Sequence, residues 1–274
     1  MVCTLLQYRR NHCFNLCFML KKMIHQARFA LPEIDINIEG DVLVFDKPYQ
    51  CTSFDLVEKV KKYIRQGEKE KGEGRKGESR GDLYGRPNTD PKKKKRKVGH
   101  AGTLDPLATG VMIICVGSFT KKIEQYQAQE KEYTGTFMLG ATTPSFDLEK
   151  PVDETFSIEH ITEEKIYKVA QSFVGEQDQV PPHFSAVKVN GKRAYLLARE
   201  GKEPEIKPKK VTISEFEITN IALPEVNFRI VCSKGTYIRS LARDFGQKLE
   251  SGAHLTALRR TRIGEFRVEG AIKV

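Results

Sequence analysis

The sequence predicts an α+β fold, a mainly antiparallel mixed sheet flanked by helices and loops. Three observations carry that prediction. Short β-branched runs and helix-spaced runs follow one another with no regular βαβ rhythm. Turn signals at Asn190-Gly191 and around Pro224 join strand-like runs. Of the 274 residues, 39% are hydrophobic and 30% charged, which suits a soluble chain with a real core.

Asp41–Asp46 (DVLVFD) alternates and is β-branched, so it reads as a strand, which Lys47-Pro48 ends. Thr52 and Asp55 form a capping box. Phe54, Val57, Val60 and Ile64 follow at helical spacing and predict a helix to about Arg65. Residues 66–97 break the pattern, with only Leu83 and Tyr84 as sizeable apolar groups. Such a stretch buries too little to offset its ordering entropy, and it reads as a flexible basic insertion. Gly72, Gly74 and Gly77 inside it match G-x-G-x-x-G. No apolar strand precedes them and no helix follows, so a dinucleotide site is rejected. Pro91–Val98 (PKKKKRKV) looks like a nuclear import signal but reads as a solvated basic loop suited to an RNA backbone.

Beyond the insertion, Val111–Val116 is a continuous apolar strand and Lys131–Ala141 a second strand. Ile161 and Ile166 staple a helix capped by Thr162, and Gly175 stops it soon after Phe173. Phe184–Val189 alternates as a strand, Arg193–Glu200 is a short helix stopped by Gly201, and Val211–Thr219 and Glu225–Cys232 are strands. Tyr237–Glu250 is a helix ending near Gly252, with no second domain after it and no internal repeat. Residues 1–32 read as a poorly ordered N-terminal extension, and 33–274 as one domain carrying the insertion.

The formal net charge is +10, which points to an acidic partner such as nucleic acid. Residues 66–97 hold twelve Lys/Arg and six Asp/Glu, so +6 of that charge is local. No apolar run reaches membrane-spanning length, so no membrane partner is expected. The six cysteines form no C-x-x-C pair. Cys13 and Cys17 with His12 and His25 fit no standard zinc spacing, so no metal site is expected. Cys115 and Cys232 lie in strand-like runs, where free Cys packs as a small hydrophobe. This cysteine usage suggests a reducing compartment, the cytoplasm.

Gly99–Gly110 (GHAGTLDPLATG) packs three glycines, a proline, a histidine and an aspartate into twelve residues. Gly and Pro at that density shape a loop with unusual backbone angles, and a strand follows to position it. Pro106 biases Asp105 toward an extended conformation. On spacing alone, Asp105 reads equally as a catalytic carboxylate or as a turn cap.

The longer string VGHAGTLDPLATGVMIICVG resembles the signature loop of the tRNA pseudouridine synthase B family. DVLVFDKP with TSFDLVEKVK, KEYTGTFMLGATTPSFD, QVPPHFSAVKVNGKRAYLLAREG, VCSKGTYIRSLARDFG and SGAHLTALRRTRIGEF resemble its other blocks in order, over about residues 40–266. The resemblance implies a pseudouridine-synthase fold and isomerisation of one uridine, position 55, in the T loop of tRNA. It implies that Asp105 is the catalytic aspartate, Tyr133 the active-site tyrosine and Arg239 the arginine that pairs with the aspartate. His100 is implied to contact substrate RNA, Tyr237 to share the pocket wall and Leu255 to line the pocket. Lys47-Pro48 matches a motif taken as structural. Many family members carry a C-terminal PUA domain; this chain stops at Val274 and resembles the short form without one.

These residue types suit the reaction. Uridine and pseudouridine are isomers, so no cofactor is expected. One carboxylate serves if a cation keeps it ionised, and the target base must be flipped and held by flat side chains. The expected partner is tRNA, bound by a monomer. Three alternatives differ by readout. A non-catalytic tRNA-binding protein needs the pocket but not the carboxylate. A hydrolytic glycosylase usually uses two carboxylates, and the loop offers one. A third reading is pseudouridylation of another RNA.

Overall fold

Residues 31–73, 96–202 and 204–274 are described by the structure, a computed structural model. Strand β1 (Gly40–Lys47) turns Leu43, Phe45 and Lys47 to its buried side. Helix α1 (Ser53–Glu73) opens with the expected capping box: Thr52 Oγ1 accepts from Asp55 N–H and the Asp55 carboxylate accepts from Thr52 N–H, each at 3.0 Å. Leu56, Val57, Val60 and Ile64 then pack α1 onto Leu43, Phe45, Met112, Ile114 and Val116.

Strands β2 (Val98–His100) and β3 (Thr109–Gly117) bracket the glycine-rich loop. β3 is buried on both faces, which its unbroken apolar run requires. Helix α2 (Ile123–Ala128) leads to β4 (Lys131–Leu139), and a small hairpin joins β5 (Ala141–Thr142) to β6 (Glu154–Thr155). Helix α3 (Glu163–Gln171) is capped by Thr162, whose hydroxyl accepts from Lys165 N–H, and is stapled by buried Ile161 and Ile166. There follow β7 (Gly175–Gln179), the hairpin β8 (Lys188–Val189) and β9 (Lys192–Arg193), and α4 (Ala194–Arg199). The long hairpin β10 (Lys209–Ala222) and β11 (Glu225–Cys232) precedes α5 (Ile238–Lys248), β12 (Ala253–Ile263), β13 (Phe266–Arg267) and β14 (Ile272–Lys273).

Ten strands form one sheet in the order β14-β1-β3-β12-β4-β11-β10-β7, with β2 on β3 and β13 on β12. The β1–β14 and β3–β12 pairs are parallel and the rest antiparallel, as the sequence predicted. One face of β4, β10 and β11 packs on α3 and α5 through Phe137, Phe173, Phe216, Phe228 and Phe245. The opposite face carries Thr134, Thr136, Asn227 and Arg229.

Three local expectations need correction. Helix α1 runs to Glu73, eight residues beyond Arg65. Residues 66–73 are therefore helical, not part of a flexible insertion. Arg96, at the far end of that stretch, bonds Glu39 at 2.9 Å and Glu68 at 3.4 Å, tying the helix to the chain before β1. Residues 74–95, including Gly74 and Gly77 of the glycine pattern and most of PKKKKRKV, lie outside the described residues, as do residues 1–30 with Cys13 and Cys17. The Phe184–Val189 strand shrinks to Lys188–Val189, turned by Asn190 and Gly191 at φ 51° and 80°. An eleven-residue strand, β12, stands in mid-sheet where no strand was read. Its register shifts at Leu255/Ala257 and Arg260/Arg262, and these bulges erase the alternation that marks a strand.

Candidate active site

Asp105 sits in the loop between β2 and β3, and groups distant in sequence hold the backbone around it. The Ser53 hydroxyl, in the first turn of α1, accepts from Leu104 N–H and donates to Leu104 O, both at 2.9 Å and both buried. Lys47 is fully buried, and its Nζ donates to Pro48 O at 3.0 Å, Cys51 O at 2.6 Å and Pro106 O at 3.3 Å. Arg260, 1% exposed, donates to Val111 O at 2.8 Å, Thr103 O at 3.4 Å and Gly102 O at 3.3 Å. The residues on both sides of Asp105 are therefore fastened to β1, α1 and β12. The loop also closes on itself through Ala108 N–H to Asp105 O at 3.1 Å.

The Asp105 carboxylate meets the guanidinium of Arg239, on the first turn of α5, with Nε to Oδ2 at 2.8 Å and Nη2 to Oδ1 at 3.3 Å. This fork fixes the carboxylate plane. Arg239 is itself buried and spends its other donors on Ser145 O at 3.2 Å and Phe184 O at 3.0 Å. Asp105 keeps 35% of its side chain exposed against 4% for Arg239, so the carboxylate is reachable while the cation behind it is not. Burial alone would depress the Arg239 guanidinium; Asp105 and Asp147 overcome that and hold its pKa above the ordinary value.

Asp147 was missed as a site residue by sequence reasoning. Its Oδ2 lies 3.6 Å from Arg239 Nε, and its Oδ1 accepts from Glu149 N–H at 2.9 Å. Leu255 places it: Leu255 N–H donates to Phe146 O at 3.0 Å, and Asp147 and Leu255 form a parallel bridge. Asp105, Asp147, Arg239, Leu107, Leu148 and Leu255 line one narrow slot of about 10 Å³, room for roughly one water.

Tyr133 on β4 is the register partner of Arg260 on β12 and is nearly buried. Burial pushes its phenol pKa up, and the Arg260 cation opposes that rise. Tyr237 caps the start of α5 by its backbone, which the Gln179 amide grips twice: Tyr237 N–H to Oε1 at 2.8 Å and Nε2 to Tyr237 O at 3.1 Å. Burial raises its phenol pKa, and the Asp105 charge adds to that rise while Arg239 opposes it. His100 stands apart from the slot, on β2 beside Gly102 and Arg260. Its Nδ1 is buried without a partner, and burial lowers its pKa. Lys47 is lowered to about 8, first by burial and further by Arg260, against Cys51 and Asp105. Among the described residues, no group of three or more His, Cys, Asp or Glu could hold a metal ion, and no helix is long and apolar enough to cross a membrane.

The geometry matches known proteins. The family model described as the N-terminal domain of TruB family pseudouridylate synthases matches residues 91–238, and the tRNA pseudouridylate synthase B C-terminal domain matches 239–274. The chain is 53% identical over 237 residues to the tRNA pseudouridine synthase B of Flavobacterium johnsoniae, covering 86% of this chain and 94% of that protein. It is 52% identical over 238 residues to that of Phocaeicola vulgatus, covering 86% and 91%. A solved Cbf5-Nop10-Gar1 complex is similar at 27% identity and a TM-score of 0.57, over 86% of this chain; this chain spans 53% of that one. The mixed sheet with its fastened aspartate loop is the pseudouridine-synthase fold. The chain belongs to the TruB family of pseudouridylate synthases. Its C-terminal matched segment is not a separate layer, because it supplies α5 and the mid-sheet strand β12.

Proposed function

We propose that this chain converts uridine to pseudouridine at position 55 in the T loop of tRNA, with Asp105 as the nucleophile. The observation that carries the reading is the partly exposed carboxylate of Asp105 held in the fork of the buried Arg239. The N1–C1′ bond breaks, the uracil turns, C5 bonds to C1′, the C5 proton leaves and N1 takes one up. Atoms balance within the nucleotide, so neither a redox partner nor an energy source is required. The Asp105 carboxylate attacks either the base or the sugar, and the Arg239 fork holds it in place. In this reading Tyr133 contacts the base and handles the C5 proton, Leu255 lines the pocket, and Tyr237 shares its wall. His100 contacts RNA outside the slot. The slot must widen to take a uracil, and Leu148, half exposed, is one of the residues that line it.

The test is incubation with an unmodified tRNA transcript, mapping pseudouridine by position. Modification in the T loop supports the reading, and an unmodified T loop overturns it. Asp105→Ala separates an enzyme from an RNA-binding protein, through loss of pseudouridine with binding retained.

The chain also acts as a cytoplasmic monomer in this reading. Cys51, Cys115 and Cys232 are free and buried, which suits a reducing compartment. Residues 74–95, with eight Lys/Arg and three Asp/Glu, add backbone affinity for tRNA. Their deletion weakens binding and flattens its salt dependence; an unchanged salt series refutes that role.

A further inference from the structure

The chain at the end of β7 grips the start of α5 at two places. Gln179, the last residue of β7, is 3% exposed, and both ends of its amide bond the backbone of Tyr237. Oε1 accepts from the Tyr237 N–H at 2.8 Å, and Nε2 donates to the Tyr237 C=O at 3.1 Å. A side-chain amide carries the same donor and acceptor as a peptide. Gln179 therefore supplies the pair of bonds that a residue on a neighbouring antiparallel strand would give. Val180 O accepts from the Ser240 hydroxyl at 2.8 Å and from Arg243 Nη2 at 3.4 Å, on the first and second turns of α5. Pro181 and Pro182 follow, both buried, with φ locked by their rings. Beyond them Phe184 O accepts from Arg239 Nη2 at 3.0 Å.

One stiff segment thus holds the point where α5 begins and also the guanidinium that the first turn of α5 carries. Tyr237 is the cap residue of α5 and makes no capping bond with its own side chain. Its backbone is held by Gln179 instead, and Arg239 stands two residues further on. Successive helical residues are about 100° apart, so a rotation of the Tyr237 peptide carries into the direction of the Arg239 side chain. The fork on Asp105, at 2.8 and 3.3 Å, tolerates little of that motion.

We infer that Gln179 is a positioning residue for the isomerisation, setting the start of α5 so that the Arg239 fork meets the Asp105 carboxylate. The inference rests on the RNA isomerase reading. Gln179 does not line the aspartate slot, so its effect reaches the chemistry through α5.

The test is Gln179→Met, which is close to glutamine in length and lacks both polar groups. Single-turnover tritium release from a T-arm hairpin with C5-tritiated uridine gives the rate, and filter binding gives RNA affinity. The expected result is a rate reduced about 10- to 30-fold with affinity within about twofold. Placed in an Arg239→Lys background, Gln179→Met is expected to cost less than about twofold more, because the fork that it serves is already gone. Thr162→Ala, which removes the cap of α3, controls for stability: it lowers Tm and keeps the wild-type rate. A wild-type rate in Gln179→Met, losses that multiply in the double variant, or an equal rate loss in Thr162→Ala overturns the positioning role, while wild-type turnover leaves the isomerase reading standing. Absence of wild-type turnover on the hairpin overturns both.

Discussion

Ser53→Ala removes one hydroxyl and with it both bonds to Leu104, the residue before Asp105. The variant leaves a buried N–H and a buried C=O without partners. Each such group costs about 1–3 kcal/mol, so a loss of about 3 kcal/mol is expected once some relaxation is allowed. In a domain of this size that lowers Tm by roughly 6–12 °C. The larger effect is on catalysis. Ser53 does not line the slot, but Leu104 sets where the Asp105 carboxylate points, and misplacement by an ångström costs on the order of 100-fold. The expectation is a kcat reduced roughly 10- to 100-fold, with KM within about twofold. Single-turnover tritium release and a thermal melt measure both, and Ser53→Thr, which keeps the hydroxyl, recovers most of the rate. A Ser53→Ala protein with wild-type kcat and Tm would refute the argument that this hydroxyl positions the loop.

Lys47→Met removes a buried ammonium whose pKa is lowered from 10.5 to about 8. A depressed folded pKa means that this group's stability contribution is full above 10.5 and lost as pH falls to about 8. Wild type should therefore gain about 2 kcal/mol relative to Lys47→Met between pH 7.5 and 10 in urea titrations, and a pH-independent difference contradicts the buried charge. Arg239→Lys keeps the cation but loses the fork, so kcat should fall at least about 100-fold with RNA affinity nearly unchanged; equal losses in both would place Arg239 in binding. Asp147→Asn leaves Asp105 as the one carboxylate on Arg239 and should cut kcat roughly tenfold, and an unaffected rate would make Asp147 a mere loop anchor.

Local chemistry was legible from the sequence wherever a few adjacent residues decide the outcome. Thr52 and Asp55 specify a capping box within four residues, and Thr162 with Ile161 and Ile166 specifies a helix start. Helix α1 was cut short because Gly67 and the surrounding charge look like a linker; its continuation accompanies a clamp by Arg96, 28 residues from Glu68. β12 was hidden by its two bulges and by Arg260, a buried charge where a strand reader expects an apolar residue. The site shows the same division. The aspartate loop announced itself by composition, whereas Asp147 and Ser53 act on partners far along the chain. Ser53 reaches across 51 residues to Leu104, and no spacing rule encodes that.

The mid-sheet place of β12 has a consequence for how the protein is made. The half of the sheet with β1 and β3 and the half with β4, β11 and β10 are joined through a strand that leaves the ribosome after all of them. Arg259 must reach Thr109 across 150 residues, a contact order that favours slow closure. Asp105 is translated early, but Arg239 and Arg260 arrive late. The nascent chain therefore carries an unfastened aspartate loop until α5 and β12 have been made and β12 threads the sheet.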